Sequence, residues 1–253
     1  MNDLVSIVMP SYNTGHFIGE SIASVMAQTY INWELIIVDD CSIDDTDEII
    51  KGYLIDERVR YIKNDTNRGA AESRNCALRE AKGRWIAFLD SDDLWEPNKL
   101  EKQIEFMQSN GVHFSYTNYI EIDEESVPNG KRVTGPKRIT KHGMYNYCWP
   151  GCLTVMYDSY SIGLIQIVDI KKNNDYAMWL KVCKKAECYL LDEELARYRK
   201  RTGSISNHGY MKLLKWHYKL YREAEDKNLI LAFILTIRNL FFGVLKKIKY
   251  VKG

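Results

Sequence analysis

Apolar positions in the first hundred residues fall in short runs divided by stretches with helical spacing. Residues 5–9, 35–38 and 85–89 are nearly unbroken apolar runs, and 59–62 reads as a further strand. Continuous rather than alternating runs mark strands covered on both faces. Between them, 17–27 carries Ile18, Ile22, Val25 and Met26 on one helical face. Residues 44–55 have Asp44, Asp45 and Asp47 near the first turn, where the helix dipole favours anions. Residues 70–81 form a third helix closed by Gly83, and 97–109 a fourth with Pro97 at its first position. Strands alternating with such helices predict βαβ units, a parallel sheet and ligands at the carboxyl ends of its strands.

Past residue 110 the pattern loosens. Residues 112–122 alternate and predict a longer strand. Residues 123–142 are polar, with Pro128, Gly130, Gly135 and Pro136, the composition of a mobile loop or hairpin. Residues 175–184 predict a short helix, 189–191 and 195–198 two strands, and the last forty or so residues are helical. No repeat or clean linker divides the chain. The expected organisation is one unit over 1–205, in halves 1–110 and 111–205, followed by a helical extension over 206–253.

Composition narrows the class. With 45% hydrophobic and 27% charged residues in 253, the chain is neither disordered nor fibrous. Basic and acidic residues number 35 and 34, which gives no footprint of a nucleic-acid binder. Six cysteines at 41, 76, 148, 152, 183 and 188 form no CxxC pair. No structural zinc is therefore expected, and free thiols in a reducing cytoplasm are. The start MNDLVSIVMPSYN lacks the basic and apolar segments of a signal peptide.

The carboxylates carry the chemistry. Asp39 and Asp40 follow the run ELIIV, and Asp90, Asp92 and Asp93 follow WIAFL. Helix capping suits Asp44 and Asp93. It does not suit Asp90 and Asp92, because the next helix starts near Pro97. Carboxylates this close repel and need a cation or donors. Mg²⁺ or Mn²⁺ needs only one or two of them when phosphates supply other oxygens. Asp90-Ser91-Asp92 after an apolar strand therefore points to a metal–diphosphate site.

Five segments in order resemble family 2 glycosyltransferases of the GT-A fold: SIVMPSYN (6–13), ELIIVDDCSIDDT (34–46), NRGAAESRN (67–75), GRWIAFLDSDDLWEP (83–97) and NDYAMWLKV (174–182). The resemblance covers residues 4–200. It implies an α/β fold with a Rossmann-like, mostly parallel nucleotide-binding sheet, here followed by the C-terminal helical extension. Residues 1–110 would bind the nucleotide sugar and 111–205 the acceptor.

The resemblance also implies roles. Pro10, Ser11 and Tyr12 would line the base pocket, with the Tyr12 ring near uracil. Asp40 would accept the base N3–H, a proton that cytosine lacks, and Asp39 would support the same loop. Arg68 or Arg74 would lie near base and diphosphate. Asp90 and Ser91 would contact ribose or sugar, and Asp92 would hold Mn²⁺ or Mg²⁺. Asp175 matches the base that deprotonates the acceptor hydroxyl in a direct, inverting displacement. Its neighbour is Asn174 where relatives often have Glu, which should keep the Asp175 pKa lower. The stretch 198–206, YRKRTGSIS, would close over the diphosphate through Arg199 or Arg201, with Gly203 as hinge. Trp149 and Gly151 suit an acceptor-facing loop, since Trp stacks on sugar faces, and Trp179 and Trp95 are near the proposed chemistry.

The apolar stretch 229–245, LILAFILTIRNLFFGVL, is marginal for spanning a membrane and is interrupted by Arg238 and Asn239. Lys246, Lys247, Lys249 and Lys252 follow. An interfacial helix on an anionic leaflet fits this pattern, and so does a helix packed on the rest of the protein. Similar chains often build O antigen or capsule. The implied enzyme is cytoplasmic and peripheral at the inner face of the membrane, with a UDP-sugar donor and a polyprenyl-diphosphate-linked saccharide acceptor. A nicotinamide oxidoreductase would need G-x-G-x-x-G after the first strand, where this chain has residues 10–15, PSYNTG. A sugar-phosphate nucleotidyltransferase would need a Gly-rich, Arg-containing N-terminal loop, which is missing. A non-catalytic nucleotide-sugar-binding or scaffold protein on the same fold is the alternative, and the presence of Asp40, Asp90, Asp92 and Asp175 together argues against it.

Overall fold

The computed structural model describes residues 3–170, 172–201 and 210–253. β1 (Val5–Ser11), α1 (Gly15–Met26), β2 (Trp33–Asp39), α2 (Thr46–Gly52), β3 (Val59–Lys63), α3 (Ala70–Glu80) and β4 (Trp85–Phe88) build the first half. Its strands lie in the order β3-β2-β1-β4, all parallel. Every residue of β1, β2 and β4 is buried. Alternate side chains feed two cores: Val8, Ile36 and Phe88 on one face of the sheet, Ile7, Leu35 and Ala87 on the other. The strand order reverses at β1, so a crevice opens at the carboxyl ends of β1, β2 and β4.

Two helices start later than the sequence predicts. The Asp44 carboxylate accepts from the Thr46 N–H (3.2 Å) and the Gly15 N–H (3.0 Å). It therefore tethers the starts of α1 and α2 and stays outside α2. Pro97 also lies outside its helix. The Lys99 N–H first closes a turn on the Glu96 carbonyl, and the helix Lys99–Ser109 begins there.

β5 (Leu94–Trp95), α4 (Lys99–Ser109), β6 (Phe114–Ile122), β7 (Pro128–Val133), β8 (Arg138–Ile139), α5 (Lys141–Asn146), β9 (Met156–Asp158), α6 (Ser159–Ile162), α7 (Asn174–Cys183) and β10 (Cys188–Arg199) complete the second half. β9 lies antiparallel between β4 and β6, and β10 runs parallel to β6. The stretch 123–142 returns as the hairpin strand β7, then β8, before entering α5. The two strands expected at 189–191 and 195–198 are one. Register shifts around Glu194 break its alternation, which divides it in the sequence.

The C-terminal segment comprises α8 (Tyr210–Lys219), a π-helical turn, α9 (Leu229–Tyr250) and β11 (Val251–Lys252), which pairs antiparallel with β7. Leu220, Tyr221, Ala232 and Leu235 share one core with Trp179 and Tyr157. Asn239, 1% exposed, donates to the hydroxyls of Tyr176 (3.2 Å) and Tyr221 (3.3 Å). The inner face of α9 is thus packed into the second half.

Candidate active site

The ends of β1 and β2 turn sharply. Asn13 and Cys41, just past Tyr12 and Asp40, adopt φ of 49° and 66°. Such left-handed residues are uncommon outside glycine and cluster at functional sites. Pro10 and Ser11 are buried, whereas the Tyr12 ring is 48% exposed at the mouth of the crevice. Hydroxyls link the strand ends: Ser11 Oγ is 2.8 Å from Thr14 Oγ1, which donates to Ser91 Oγ at 3.0 Å. Ser91 is therefore turned inward to support the Asp90–Asp92 turn. Thr14 is a member that sequence reasoning missed.

Asp39 and Asp40 are both buried. The Asp39 carboxylate accepts from the Ser42 hydroxyl and from Tyr61 Oη (3.3 Å), bracing the loop after β2. Asp40 accepts from the backbone N–H of Arg68 (2.8 Å) and Gly69 (2.7 Å) and from Asn64 Nδ2 (2.9 Å). Gly69 has φ of 86°, which leads the chain into α3 without a steric penalty. The Arg68 side chain is exposed beside this turn.

Arg74, on α3, joins the two halves. It donates to Asp90 Oδ1 (2.5 Å) after β4 and to Asn174 Oδ1 (3.2 Å) at the start of α7. Asp175 follows, introduced by Asn173 at φ 59°. Burial pushes the Asp175 carboxyl above the ordinary range, against the pull of the nearby Arg74 cation. The loss of an acidic neighbour at 174 therefore does not keep that pKa low, because desolvation outweighs it.

Asp92 pairs with Arg201, Nε to Oδ2 at 2.7 Å. Burial raises the Asp92 pKa, Arg201 opposes it, and the neighbouring Asp90 charge raises it further. Asp93 is fully buried, accepts from the Arg199 N–H (2.8 Å), and is pushed well up by burial and the adjacent carboxylates. It braces β10 and caps no helix. No group of three or more metal-ligating side chains forms among the described residues. Asp92 with Asp90 nevertheless fits a hard divalent cation that draws further oxygens from a diphosphate.

Three expected contacts are corrected. Arg199 is 1% exposed and bonded through all three guanidinium nitrogens: to the Asp92 carbonyl, to the carbonyls of Asp123 and Glu124, and to Glu20. It locks β10 to α1 and the β6–β7 turn and is not turned to a diphosphate. Trp179 is wholly buried against Phe88 and Phe114. Trp149 is 6% exposed, donates to the Gly143 carbonyl (3.0 Å) and packs on Phe242 and Tyr250 of the C-terminal segment. Trp95 is buried too. The turn after Trp149 does border the crevice. A Cβ at Gly151 would press on Tyr119 (3.2 Å), and Cys152 lies within electrostatic reach of Arg74, Asp90 and Asp175. Burial holds the Cys148 and Cys152 thiols protonated. The closing loop expected after Arg201, with Gly203, lies outside the described residues.

The chain is similar to known proteins. The family model described as glycosyl transferase family 2 matches residues 6–167. A putative teichuronic acid biosynthesis glycosyltransferase of Bacillus subtilis, TuaG, is 42% identical over 88% of each chain. The Escherichia coli UDP-Glc:alpha-D-GlcNAc-diphosphoundecaprenol beta-1,3-glucosyltransferase WfgD is 42% identical over 83% of this chain and 82% of its own. In fold, the chain resembles Staphylococcus aureus TarS 1–349 in complex with UDP-GlcNAc, at a TM-score of 0.73 and 21% identity, over 93% of this chain and 71% of that one. A parallel half-sheet with acidic strand ends, a family model spanning most of the chain and near full-length relatives converge: the protein belongs to glycosyl transferase family 2 and is a glycosyltransferase of GT-A fold.

Proposed function

We propose that this glycosyltransferase moves a hexose or N-acetylhexosamine, with inversion, from a UDP-sugar to a hydroxyl of a polyprenyl-diphosphate-linked saccharide in O-antigen or capsule assembly. The observation that carries the reading is the hydrogen-bonded chain Asp90–Arg74–Asn174, with Asp175 the residue that follows Asn174. The relative named for a GlcNAc-diphosphoundecaprenol acceptor supports the acceptor class, and the UDP-GlcNAc complex of TarS supports the donor class.

The residues divide the work. The exposed Tyr12 ring stacks on the base. Asp40 uses three of its four lone-pair positions on the protein, leaving one for a uracil N3–H. Arg74 and Asp90 orient ribose and sugar, and Arg68 faces the diphosphate. Asp92 and Asp90 would hold Mn²⁺ or Mg²⁺, which when bound neutralises charge on the departing UDP. Arg201 then exchanges Asp92 for the diphosphate. Asp175 takes the acceptor proton as the hydroxyl oxygen attacks the anomeric carbon opposite UDP, and its burial makes it the stronger base. One base on one face inverts the centre, so an α-linked donor gives a β-glycoside. The enzyme works from the cytoplasmic face of the membrane, held there by the outer face of α9.

The test is transfer from UDP-glucose, UDP-galactose and their N-acetylated forms to a GlcNAc-diphospho-lipid, with Mn²⁺ and with chelator. Turnover with one donor, lost in Asp175→Asn, is the expected result. UDP binding without consumption of any UDP-sugar would overturn the reading in favour of a non-catalytic binding role, and failure to bind UDP would overturn it in favour of a scaffold.

A further inference from the structure

A concavity of about 460 Å³ lies between the end of α9 and the β8–α5 segment. That volume falls in the range of small-molecule sites. Trp149, Phe242 and Leu245 give it apolar walls, and Arg138 and Lys249 are its charged lining residues. No carboxylate lines it. Glu187 engages Arg138 through Nε (2.6 Å), and that bond leaves the terminal nitrogens of the guanidinium open to a second anion.

Its position ties it to the chemistry. The wall residue Trp149 follows Cys148, whose thiol lies within electrostatic reach of Asp175. Lys246, one helical turn before Tyr250, donates to the Trp149 carbonyl (2.9 Å) and so fixes α9 against this segment. On the outer side the cleft meets the exposed apolar stripe of α9, where Phe241 is 61% and Ile248 76% exposed. One segment thus separates the candidate base from an amphipathic cleft that continues into an apolar surface.

We propose that this cleft receives the lipid carrier of the acceptor, its diphosphate against Arg138 and Lys249 and its first isoprene units against Trp149, Phe242 and Leu245. The inference rests on the acceptor reading above. It matches an anionic group joined to a hydrocarbon chain with a cationic site joined to an apolar track. The lipid would leave the cleft along α9, while the saccharide end crosses the Cys148–Gly151 segment to Asp175.

The experiment uses the full chain in detergent, titrated calorimetrically with geranylgeranyl diphosphate, inorganic pyrophosphate and UDP. Geranylgeranyl diphosphate is expected to bind at least tenfold tighter than pyrophosphate, and Arg138→Gln/Lys249→Gln to weaken it at least tenfold with UDP affinity unchanged. The unchanged UDP affinity also reports that the variant is folded. Wild-type affinity in the variant, or displacement of the prenyl diphosphate by UDP, would overturn the cleft assignment. A kinetic arm separates the two readings. The variant should raise KM for a GlcNAc-diphospho-lipid about tenfold, without changing kcat or KM for a lipid-free GlcNAc glycoside. If the wild type uses both acceptors equally, the lipid-linked acceptor reading falls and the cleft with it. If it prefers the lipid and the variant keeps that KM, the cleft alone falls.

Discussion

Arg201 Nε sits 2.7 Å from Asp92 Oδ2, so the carboxylate proposed for the metal already has a cation from the strand end on the opposite side of the crevice. The pair is partly exposed, with side chains 30% and 19% accessible, and such pairs contribute no more than about 1 kcal/mol. A divalent ion brought by a diphosphate can displace it. Arg201→Ala is expected to tighten Mn²⁺ binding to the nucleotide-free protein by up to about fivefold, the equivalent of that energy. The same variant should lower kcat through loss of diphosphate contact. Unaltered Mn²⁺ affinity would show that the pair does not compete with the metal.

Arg199 behaves differently although it is two residues away. Its guanidinium is bonded to Glu20 and to the carbonyls of Asp92, Asp123 and Glu124. Arg199→Lys loses the fork that reaches these groups together, and buried carbonyls left unpaired cost about 1–3 kcal/mol each. A loss of about 3 kcal/mol in urea unfolding is expected. The KM for donor should stay unchanged in the fraction that remains folded. A raised donor KM at wild-type stability would restore the diphosphate role.

The contrast shows what local sequence conveys. The parallel half was legible because β1, β2 and β4 are buried on both faces and read as apolar runs. Their terminal carboxylates then fall at one crevice by topology alone. Arg199, Trp149 and Trp179 were not legible, because their surroundings come from far along the chain. Glu20 meets Arg199 across 179 positions, and Phe242 comes from α9 to cover Trp149. Arg74, named only as one of two candidates, owes its place to a bond with Asn174 a hundred residues on. Nothing in the spacing of residues 67–75 marks that bond.

Lys99 gives a pH signature of the fold rather than of the site. It is fully buried at the start of α4, bonded to Gln103 Oε1 (2.8 Å) and lying 4.1 Å over the Trp95 ring. Burial lowers its pKa to about 7. The unfolded chain holds that proton up to the ordinary lysine range, so between about pH 7 and that range it binds more protons than the folded chain. Stability should therefore rise with pH in this window, by at most about 1.4 kcal/mol per unit. Lys99→Met should remove the rise and stabilise the protein at pH 7. Parallel pH profiles of Tm for wild type and variant would refute the buried charge.

As the proposed base, Asp175 would couple catalysis to a cost in stability. Its carboxyl titrates above the ordinary range because burial disfavours the charge, so kcat/KM should fall with acid at a pH higher than for an exposed aspartate. Asp175→Asn should lower kcat about 10²–10⁴-fold, the usual contribution of a general base. Since folding raises this pKa, the charged form destabilises the native state above it, and the Asn variant should show a Tm at pH 7 no lower than wild type. Lost activity with a large drop in Tm would mark Asp175 as structural.

The outer face of α9 distinguishes membrane seating from simple packing. The helix is 22 residues long and contains an 18-residue stretch of mean hydropathy 1.9, enough by length and composition to cross a membrane, yet Ala232, Leu235, Thr236 and Asn239 are buried in the protein. Ile230, Phe233 and Phe241 point outward at 74%, 59% and 61% exposure, with Arg238 exposed among them and Lys247 and Lys249 beyond. This one-sided burial suits a helix lying in the headgroup region. Replacing the three apolar residues with Ser removes roughly 1 kcal/mol of transfer energy at each partly exposed position, about 3 kcal/mol in all. Partitioning to phosphatidylglycerol vesicles should therefore weaken on the order of 100-fold, while urea stability stays within about 0.5 kcal/mol because little packing is lost. Lys247→Gln should instead flatten the salt dependence of binding. Vesicle binding that survives the Ser substitutions would mean that this stripe does not seat the enzyme. A dimer that dissociates with them would mean that a second copy covers it.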